Sequence, residues 1–164
     1  FDVVAEADDS RSAIDAAGAN TPDIVLLDLS LPAPGGIETT QRVKREVPSA
    51  GIIALAATED EDMLFDAIKA GAAAFLLKDI GPEDLVTIIR RVNAGEYLIN
   101  DKVFARPSTI SGMAQNRHRW HLADTTGDAP SAYQTMVSRS DTRVGTRLCK
   151  ATGSIISKML GSSI

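Results

Sequence analysis

Two charged residues, Asp28 and Lys78, each follow an apolar run that is typical of a buried strand. Asp28 closes the run DIVLLD, and Lys78 follows AAAFLL fifty residues further along the chain. Such runs, bounded by turn signals, are typical of parallel strands that helices cover on both faces. If the two strands are neighbours or next neighbours, both charges lie at the carboxyl edge of the sheet, where ligands bind in open α/β folds. An aspartate nucleophile beside a lysine that holds a phosphoryl oxygen suits phosphoryl transfer.

Both residues also have ordinary structural interpretations. Asp28 could cap the Pro- and Gly-rich turn that follows it, through that turn's backbone amides. Lys78 could be a surface lysine whose stem lies along apolar side chains. Their shared position at one predicted edge favours the functional interpretation.

Strands and helices alternate from Phe1 to Gly95, which predicts an α/β fold with a doubly wound parallel sheet. The predicted strands are FDVVAEA, DIVLLD, GIIALAA and AAAFLL. The predicted helices are SRSAIDAAGAN, IETTQRVKREV, EDEDMLFDAIKAG and a last helix that opens at Gly81 and Pro82 and stops at Gly95.

Composition narrows the class of protein. The chain has 164 residues, a net charge of −5, one cysteine and two histidines. A single cysteine excludes an internal disulfide, and so few soft ligands argue against a zinc site. No apolar run is long enough to span a bilayer, so we expect a cytoplasmic protein that does not contact membranes.

The character of the sequence changes after about Pro107. Residues 107–164 are rich in Ser, Thr, Gly and Arg and carry no apolar stripe over three helical turns, which predicts a tail of low order. Only Ser154 to Leu160 could form a short amphipathic turn. The abrupt shift after INDKVFARPS suggests a reading-frame change or a chimeric gene end. The RHRWH cluster is then accidental, although Trp120 stacking on a base is the alternative.

The spacing of several residues resembles the receiver domain of two-component response regulators over residues 1–106. In that family a proline and a glycine follow the acceptor aspartate by four and eight residues, as Pro32 and Gly36 follow Asp28. The phrase KAGAAAFLLKD is similar to the end of the family's fourth helix and its fifth strand, with Phe75 at the aromatic switch position. The stretch IIRRVNAGEYLIN resembles the subgroup joined to a LuxR-type helix-turn-helix.

This resemblance implies a flavodoxin-like fold in which Asp28 is the phosphoacceptor and Lys78 contacts the phosphoryl group. It implies a sensor histidine kinase as partner, a homodimer as a second kind of assembly, and control of transcription through an output domain absent here. Residues 107–164 do not resemble that DNA-binding domain. We expect no direct nucleic-acid binding by residues 1–106.

The sequence departs from the family at the end of the fourth strand. The family keeps a hydroxyl residue there, which bonds the phosphoryl group and draws the aromatic side chain inward. The corresponding position is Ala56, which has no donor, so coupling to Phe75 should be weak or rerouted. Thr58, two residues further on, is a candidate substitute.

The resemblance also implies a magnesium site, which this chain matches only in part. On this resemblance we expect the chain to start at the family's second strand, N-terminally truncated and without the first strand and helix; the end of that first strand carries the family's acidic pair. Asp28 and the backbone carbonyl of Ser30 remain as ligands. If FDVVAEADD took the vacant place beside DIVLLD, Asp8 and Asp9 would join them; otherwise they cap the next helix. We therefore expect weak magnesium binding.

Two other functions stay open at this point. A degenerate receiver would act as a phosphorylation-independent protein-binding or dimerisation module, as Ala56 favours. A phosphatase of the haloacid-dehalogenase type also uses a strand-end aspartate and a distant lysine, but it needs a second aspartate where this chain has Ser30. We expect that the protein is not an enzyme.

Overall fold

The computed structural model describes residues 1–100, 121–122, 133–137 and 146–151, which form one sheet with helices on both faces. The first part alternates strands and helices as predicted, and four further strands follow among the described residues. In chain order the elements are β1 Asp2–Ala7, α1 Ser10–Asn20, β2 Ile24–Asp28, α2 Gly36–Glu46, β3 Gly51–Ala56, α3 Glu61–Ala70, β4 Ala74–Leu77, α4 Pro82–Asn93, β5 Glu96–Asn100, β6 His121–Leu122, β7 Tyr133–Val137 and β8 Arg147–Ala151.

The strand order across the sheet is β1-β8-β2-β3-β4-β5-β7-β6. The strands from β1 to β5 in this order are all parallel. β7 adds to β5 in the antiparallel sense, and β6 pairs with β7 in the same way. The carboxyl ends of β2, β3 and β4 therefore lie at one edge, as the apolar runs predicted.

Each face of the sheet buries its own apolar cluster. On one face, side chains of β2, β3 and β8 pack against α1, α2 and α3, with Ala13, Val43 and Phe65 among the buried residues. On the other face, α4 buries Leu85, Ile88, Ile89 and Val92 against the same strands. Helices on both faces make the sheet doubly wound, which confirms the predicted fold class. Within the described residues, no helix combines the length and apolar character that crossing a bilayer requires.

The place between β1 and β2 holds a strand from the C-terminal part of the chain. In the order 2-1-3-4-5 of flavodoxin-like sheets, β1 and β2 correspond to the second and third strands, so this is the place of the first strand. β8 fills it and pairs with both neighbours. The sheet therefore has no gap where the sequence predicted one.

The prediction that residues 107–164 form a low-order tail is wrong for β6 and β7, which extend the sheet beyond β5, and for β8 at Arg147–Ala151. Leu148, Cys149 and Ala151 are fully buried in this strand. A search for apolar stripes over several helical turns cannot detect five residues that gain their burial from two neighbouring strands. The other predictions for the tail, at Trp120 and at Ser154 to Leu160, lie outside the described residues.

Candidate functional site

Asp28 and Lys78 meet at the carboxyl edge of the sheet. Asp28 is the last residue of β2, Lys78 follows β4, and β3 lies between the two strands. Lys78 Nζ lies 2.7 Å from Asp28 Oδ2, and the two side chains are 18% and 8% exposed. Charges this far from water are stable in proteins when they are paired. The structure thus places the two predicted site residues together.

Backbone hydrogen bonds fix both side chains in this position. The backbone N–H of Ser30 donates to Asp28 Oδ1 at 2.7 Å, so each carboxylate oxygen has one donor. The backbone N–H of Lys78 donates to the carbonyl of Ala56 at 2.8 Å, which holds Lys78 against the end of β3. Lys78 Nζ also lies 3.4 Å from the hydroxyl oxygen of Ser30. The site is therefore a small polar cluster of a carboxylate, an ammonium and a hydroxyl.

Gly36 lets the first turn of α2 approach the backbone that follows Asp28. A Cβ atom at Gly36 would lie 2.3 Å from Leu29 Cα and 2.7 Å from the carbonyl oxygen of Asp28. Contacts that short with backbone atoms are not relieved by a side-chain rotation, so the position requires glycine. Pro32 lies in the same turn, where its carbonyl accepts hydrogen bonds from Gly35 N–H and from the hydroxyl of Ser10, both at 3.1 Å.

Ala56 and Phe75 are both buried beside the charged pair. Ala56 ends β3 between the strands that carry Asp28 and Lys78, and its methyl group offers no hydrogen-bond donor. Phe75 lies on β4 opposite Ala54 and is only 7% exposed, within the cluster that α3 covers. Thr58 is exposed in the bend after β3. The aromatic side chain is thus buried without help from a hydroxyl at position 56.

The family model that describes the response regulator receiver domain matches residues 1–90, more than half of the chain. The chain belongs to this receiver family. The match covers Asp28, Ala56, Phe75 and Lys78, so the site described above lies wholly within it.

Curated relatives include response regulators of the nitrate/nitrite type. The nitrate/nitrite response regulator protein NarL of Escherichia coli is 32% identical over 115 residues, which cover 70% of this chain and 52% of that protein. NarP of the same organism is 38% identical over 102 residues, which cover 62% of this chain and 47% of that protein. The chain thus spans about half the length of the curated relatives it matches.

Solved structures show the same relationship. A two-component response regulator of the LuxR family from an Aurantimonas species is 32% identical, with a TM-score of 0.53, and the match covers 71% of this chain and 79% of that one. The signal receiver domain of a NarL protein from Mycobacterium tuberculosis is 30% identical, with a TM-score of 0.55 over 57% of this chain and 76% of that one. The resemblance to the LuxR-linked subgroup is confirmed.

Asp8 and Asp9 do not join the site, which corrects one of the predicted ligand sets. β1 does not lie beside β2, because β8 separates them, so both residues follow a strand two places from Asp28. Asp9 instead caps α1: its carboxylate accepts the N–H of Ser12 at 2.8 Å, and the Ser12 hydroxyl faces back to the N–H of Asp9. Hydrogen bonds from Ser12 lower the pKa of Asp9. The cap interpretation is the one that the structure shows.

The receiver family implies a magnesium ion beside the acceptor aspartate, and the described residues do not provide its usual ligands. No group of three or more His, Cys, Asp or Glu side chains among them could hold a metal. β8 ends next to Asp28 with Lys150 and Ala151, and Thr152 and Gly153 come next in the sequence. Among the last residues of the described strands β2, β3, β4 and β8, Asp28 is the one carboxylate, and Lys78 already pairs with it. Magnesium needs several oxygen ligands in octahedral geometry, so this donor set does not fit the ion as the family binds it.

Sequence reasoning missed the hydroxyl of Ser30 as a member of the site. Only the backbone carbonyl of Ser30 was predicted to contribute, as a metal ligand. Its side chain lies within reach of Lys78 because the turn after β2 brings the Ser30 N–H back to the Asp28 carboxylate. The D-x-S pattern, which is typical of an Asx turn, could have predicted that Ser30 folds back toward Asp28.

Proposed function

We propose that Asp28 accepts a phosphoryl group from the phosphohistidine of a sensor histidine kinase, as the receiver of a response regulator that controls transcription. The observation that carries this proposal is the 2.7 Å pair of Asp28 and Lys78 at the carboxyl edge. A strand-end carboxylate held by one ammonium and one backbone N–H is positioned for attack on phosphorus.

In the proposed step, this chain contributes only the groups of the site described above, and the kinase contributes the phosphohistidine. An Asp28 carboxylate oxygen forms a bond to phosphorus while the bond between phosphorus and the donor histidine nitrogen breaks, and the imidazole leaves with that electron pair. The product is an acyl phosphate on Asp28. As negative charge develops on a phosphoryl oxygen, the Lys78 ammonium moves from the carboxylate to that oxygen. There it stabilises the transition state as a point charge. The Ser30 hydroxyl lies 3.4 Å from Lys78 Nζ, and we assign it as the second donor to the phosphoryl group.

Intact-mass measurement after incubation with a small phosphodonor tests the role of Asp28. We expect the chain to gain the mass of one phosphoryl group, and hydroxylamine to remove it, because acyl phosphates react with this nucleophile. Asp28→Asn should abolish the gain. Asp8→Asn is the matched control, since Asp8 is an exposed carboxylate at the same edge, and it should label normally. Labelling of Asp28→Asn to the same extent would exclude Asp28 as acceptor.

Replacing the lysine tests the second half of the site. Lys78→Met should slow labelling by roughly 10²-fold, the effect typical of removing one donor from a developing anion. Lys69→Met is the control, because Lys69 is exposed on α3 and only approaches Asp66 at 3.9 Å. Equal labelling rates for both variants would show that Lys78 takes no part in the transfer.

The activity of the whole protein is part of this proposal. The relatives that this chain matches are about twice as long as the matched region, and those named here are response regulators. We propose that the protein is cytoplasmic, that its partner is a sensor histidine kinase, and that a DNA-binding output function lies outside residues 1–106. A homodimer of receiver domains is the assembly proposed with it.

A phosphorylation-independent binding module is the second candidate, and Ala56 favours it. Without a hydroxyl at the end of β3, a phosphoryl group on Asp28 lacks one contact that would couple it to Phe75. Measuring dimerisation with and without the phosphoryl mimic beryllofluoride distinguishes the candidates. A switching receiver changes its dimerisation, and Ala56→Thr should enlarge the change. No response in either protein would support the binding module.

A further inference from the structure

The strand β8 comes from a part of the chain that the receiver family model does not include. The model matches residues 1–90, whereas β8 spans Arg147–Ala151. Forty-six residues separate the end of β5 at Asn100 from the start of β8 at Arg147. A segment outside the family match thus lies in the middle of a family sheet, and its contacts show how specifically it is held.

Backbone hydrogen bonds join the start of β8 to both neighbouring strands. The N–H of Asp2 donates to the carbonyl of Thr146, and the N–H of Asp23 donates to the carbonyl of Arg147, both at 2.9 Å. The N–H of Arg147 donates in turn to the carboxylate of Asp23 at 2.9 Å. Beyond this point the strand pairs in parallel with β2 in continuous register, and with β1 across one irregularity between Val3 and Ala5. β8 therefore satisfies strand edges that would otherwise be open on both sides.

The side chains of β8 alternate in a way that matches the two faces of the sheet. Leu148 lies on the face of α4, in the cluster with Ile24 and Leu26. Cys149 and Ala151 lie on the opposite face, in the cluster that includes Ala13 and Ala17 of α1. Small side chains thus face the helix that packs directly on β8, and the larger one faces the other side.

Lys150 makes a contact that favours the observed register of the strand. It lies beside Leu26 in β2 and Glu6 in β1, its side chain is 9% exposed, and its ammonium lies 3.5 Å from the carboxylate of Glu6. A shift of one residue would move every side chain to the other face. It would place Leu148 and Lys150 under α1, where Cys149 and Ala151 now fit, and would take the ammonium away from Glu6.

From these contacts we propose that the space between β1 and β2 is a strand-acceptor site, and that its occupant is the segment Arg147–Ala151 of the same chain. The site takes a short extended segment in the parallel sense, with a large aliphatic side chain toward α4 and small side chains toward α1. This is β-strand addition within one chain, into an interior position of the sheet. The segment is then an integral part of the unit that carries Asp28, although it lies outside the family match.

Disulfide trapping in the full-length chain tests both the site and the register. Cys149 is the one cysteine in the sequence and pairs with Val25 on one side and Ala5 on the other. Neighbouring strands lie about 4.8 Å apart, within the range of about 4.4 to 6.8 Å that a disulfide spans between Cα atoms. Each of Val25→Cys and Ala5→Cys, refolded from urea in a glutathione redox buffer, should form an intramolecular bond to Cys149. Leu26→Cys is the matched control and should not, because its side chain lies on the other face.

Non-reducing mass spectrometry of proteolytic fragments reads the outcome. Linkage of Cys149 to position 25 and to position 5, with little at position 26, supports the proposal. Equal linkage at positions 25 and 26 would overturn the register, and no linkage at positions 5 and 25 would overturn the site. A covalent dimer through position 25 would overturn the assignment to the same chain, because a second copy would then supply the strand.

Thiol reactivity of the unmodified chain gives an independent test that needs no new residue in the core. Cys149 is fully buried, so Ellman's reagent should modify it at least tenfold more slowly in native buffer than in urea. An Asp66→Cys, Cys149→Ala double variant is the control, and its thiol, at an exposed position of α3, should react at similar rates in both conditions. Equal native and denatured rates for Cys149 would overturn the proposal.

Discussion

β3 and β8 flank the same strand, β2, yet they come from very different parts of the chain. β3 follows β2 after a single helix and reads GIIALA, an apolar run that any strand search finds. β8 reads RLCKA, carries two charges in five residues and comes from far along the chain. Both nonetheless bury their central side chains completely. A strand position inside a sheet is therefore defined by its two neighbours, and a segment with little intrinsic signal is able to occupy it.

The largest expected effect tests whether the two flanking strands contribute equally to stability. Leu148 in β8 and Ile53 in β3 are fully buried on the same face. Leu148→Ala and Ile53→Ala should each lower the free energy of unfolding by about 2 to 5 kcal/mol, through lost burial and the cavity that remains. Urea unfolding followed by circular dichroism measures both.

Arg147→Ala is the control for this pair, since Arg147 is exposed at the start of β8. It should change stability by no more than about 0.5 kcal/mol. If Leu148→Ala left the free energy of unfolding unchanged while Ile53→Ala lowered it as expected, β8 would contribute less to stability than β3. β8 would then be dispensable for the fold.

A smaller effect is expected at the turn after β2, where the sequence signal is strong. Gly36→Ala places a methyl group against the backbone of Leu29 and Asp28, so the turn must shift, at a cost of about 1 to 3 kcal/mol. Gly81→Ala is the matched control, because a Cβ there meets only the Asp84 carboxylate at 3.6 Å. Thermal unfolding of the two variants should separate them clearly. Equal melting temperatures would show that the turn adapts without strain.

The smallest effect concerns the pH dependence that Cys149 adds to β8. Burial raises the pKa of the Cys149 thiol from its ordinary value of 9.0 to about 11. Between these values the folded state keeps a proton that the unfolded state has lost, so stability falls as pH rises from 9 toward 11. The slope is at most about 1.4 kcal/mol per pH unit. Urea unfolding at several pH values should show a shallower decline for Cys149→Ala than for the unmodified chain. Parallel declines would mean that the thiol is solvated.

The parts of the fold that were predictable share a local signal. Each strand from β1 to β4 is an apolar run that ends at turn residues, and the helices between them carry apolar spacing and end signals such as Gly71. The spacing of Pro32, Gly36 and Lys78 relative to Asp28 predicts the receiver family, and the family model confirms it. Boundaries are less well predicted: α3 begins at Glu61, because the Asp60 side chain caps it, whereas the predicted helix EDEDMLFDAIKAG starts two residues earlier.

The parts that were not predictable depend on pairing between distant segments. Nothing in the sequence places RLCKA beside DIVLLD. The two charged residues of RLCKA interrupt the apolar pattern that Leu148 and Cys149 would otherwise form. The same limit explains why Asp8 and Asp9 were considered as ligands. Their distance from Asp28 depends on which strand lies between β1 and β2, and no local sequence pattern predicts the identity of that strand.

The sequence by itself determined that an acid and a lysine end two buried parallel strands, because apolar runs and turn residues act over a few neighbouring positions. Only the tertiary structure decided that Lys78 pairs with Asp28, that Asp9 caps a helix, and that residues 147–151 complete the sheet. These outcomes depend on which strand edges and which faces of the sheet remain unpaired when distant segments come together. The free energy that stabilises them comes from burial and hydrogen bonds shared between segments, so no single segment of the sequence determines them.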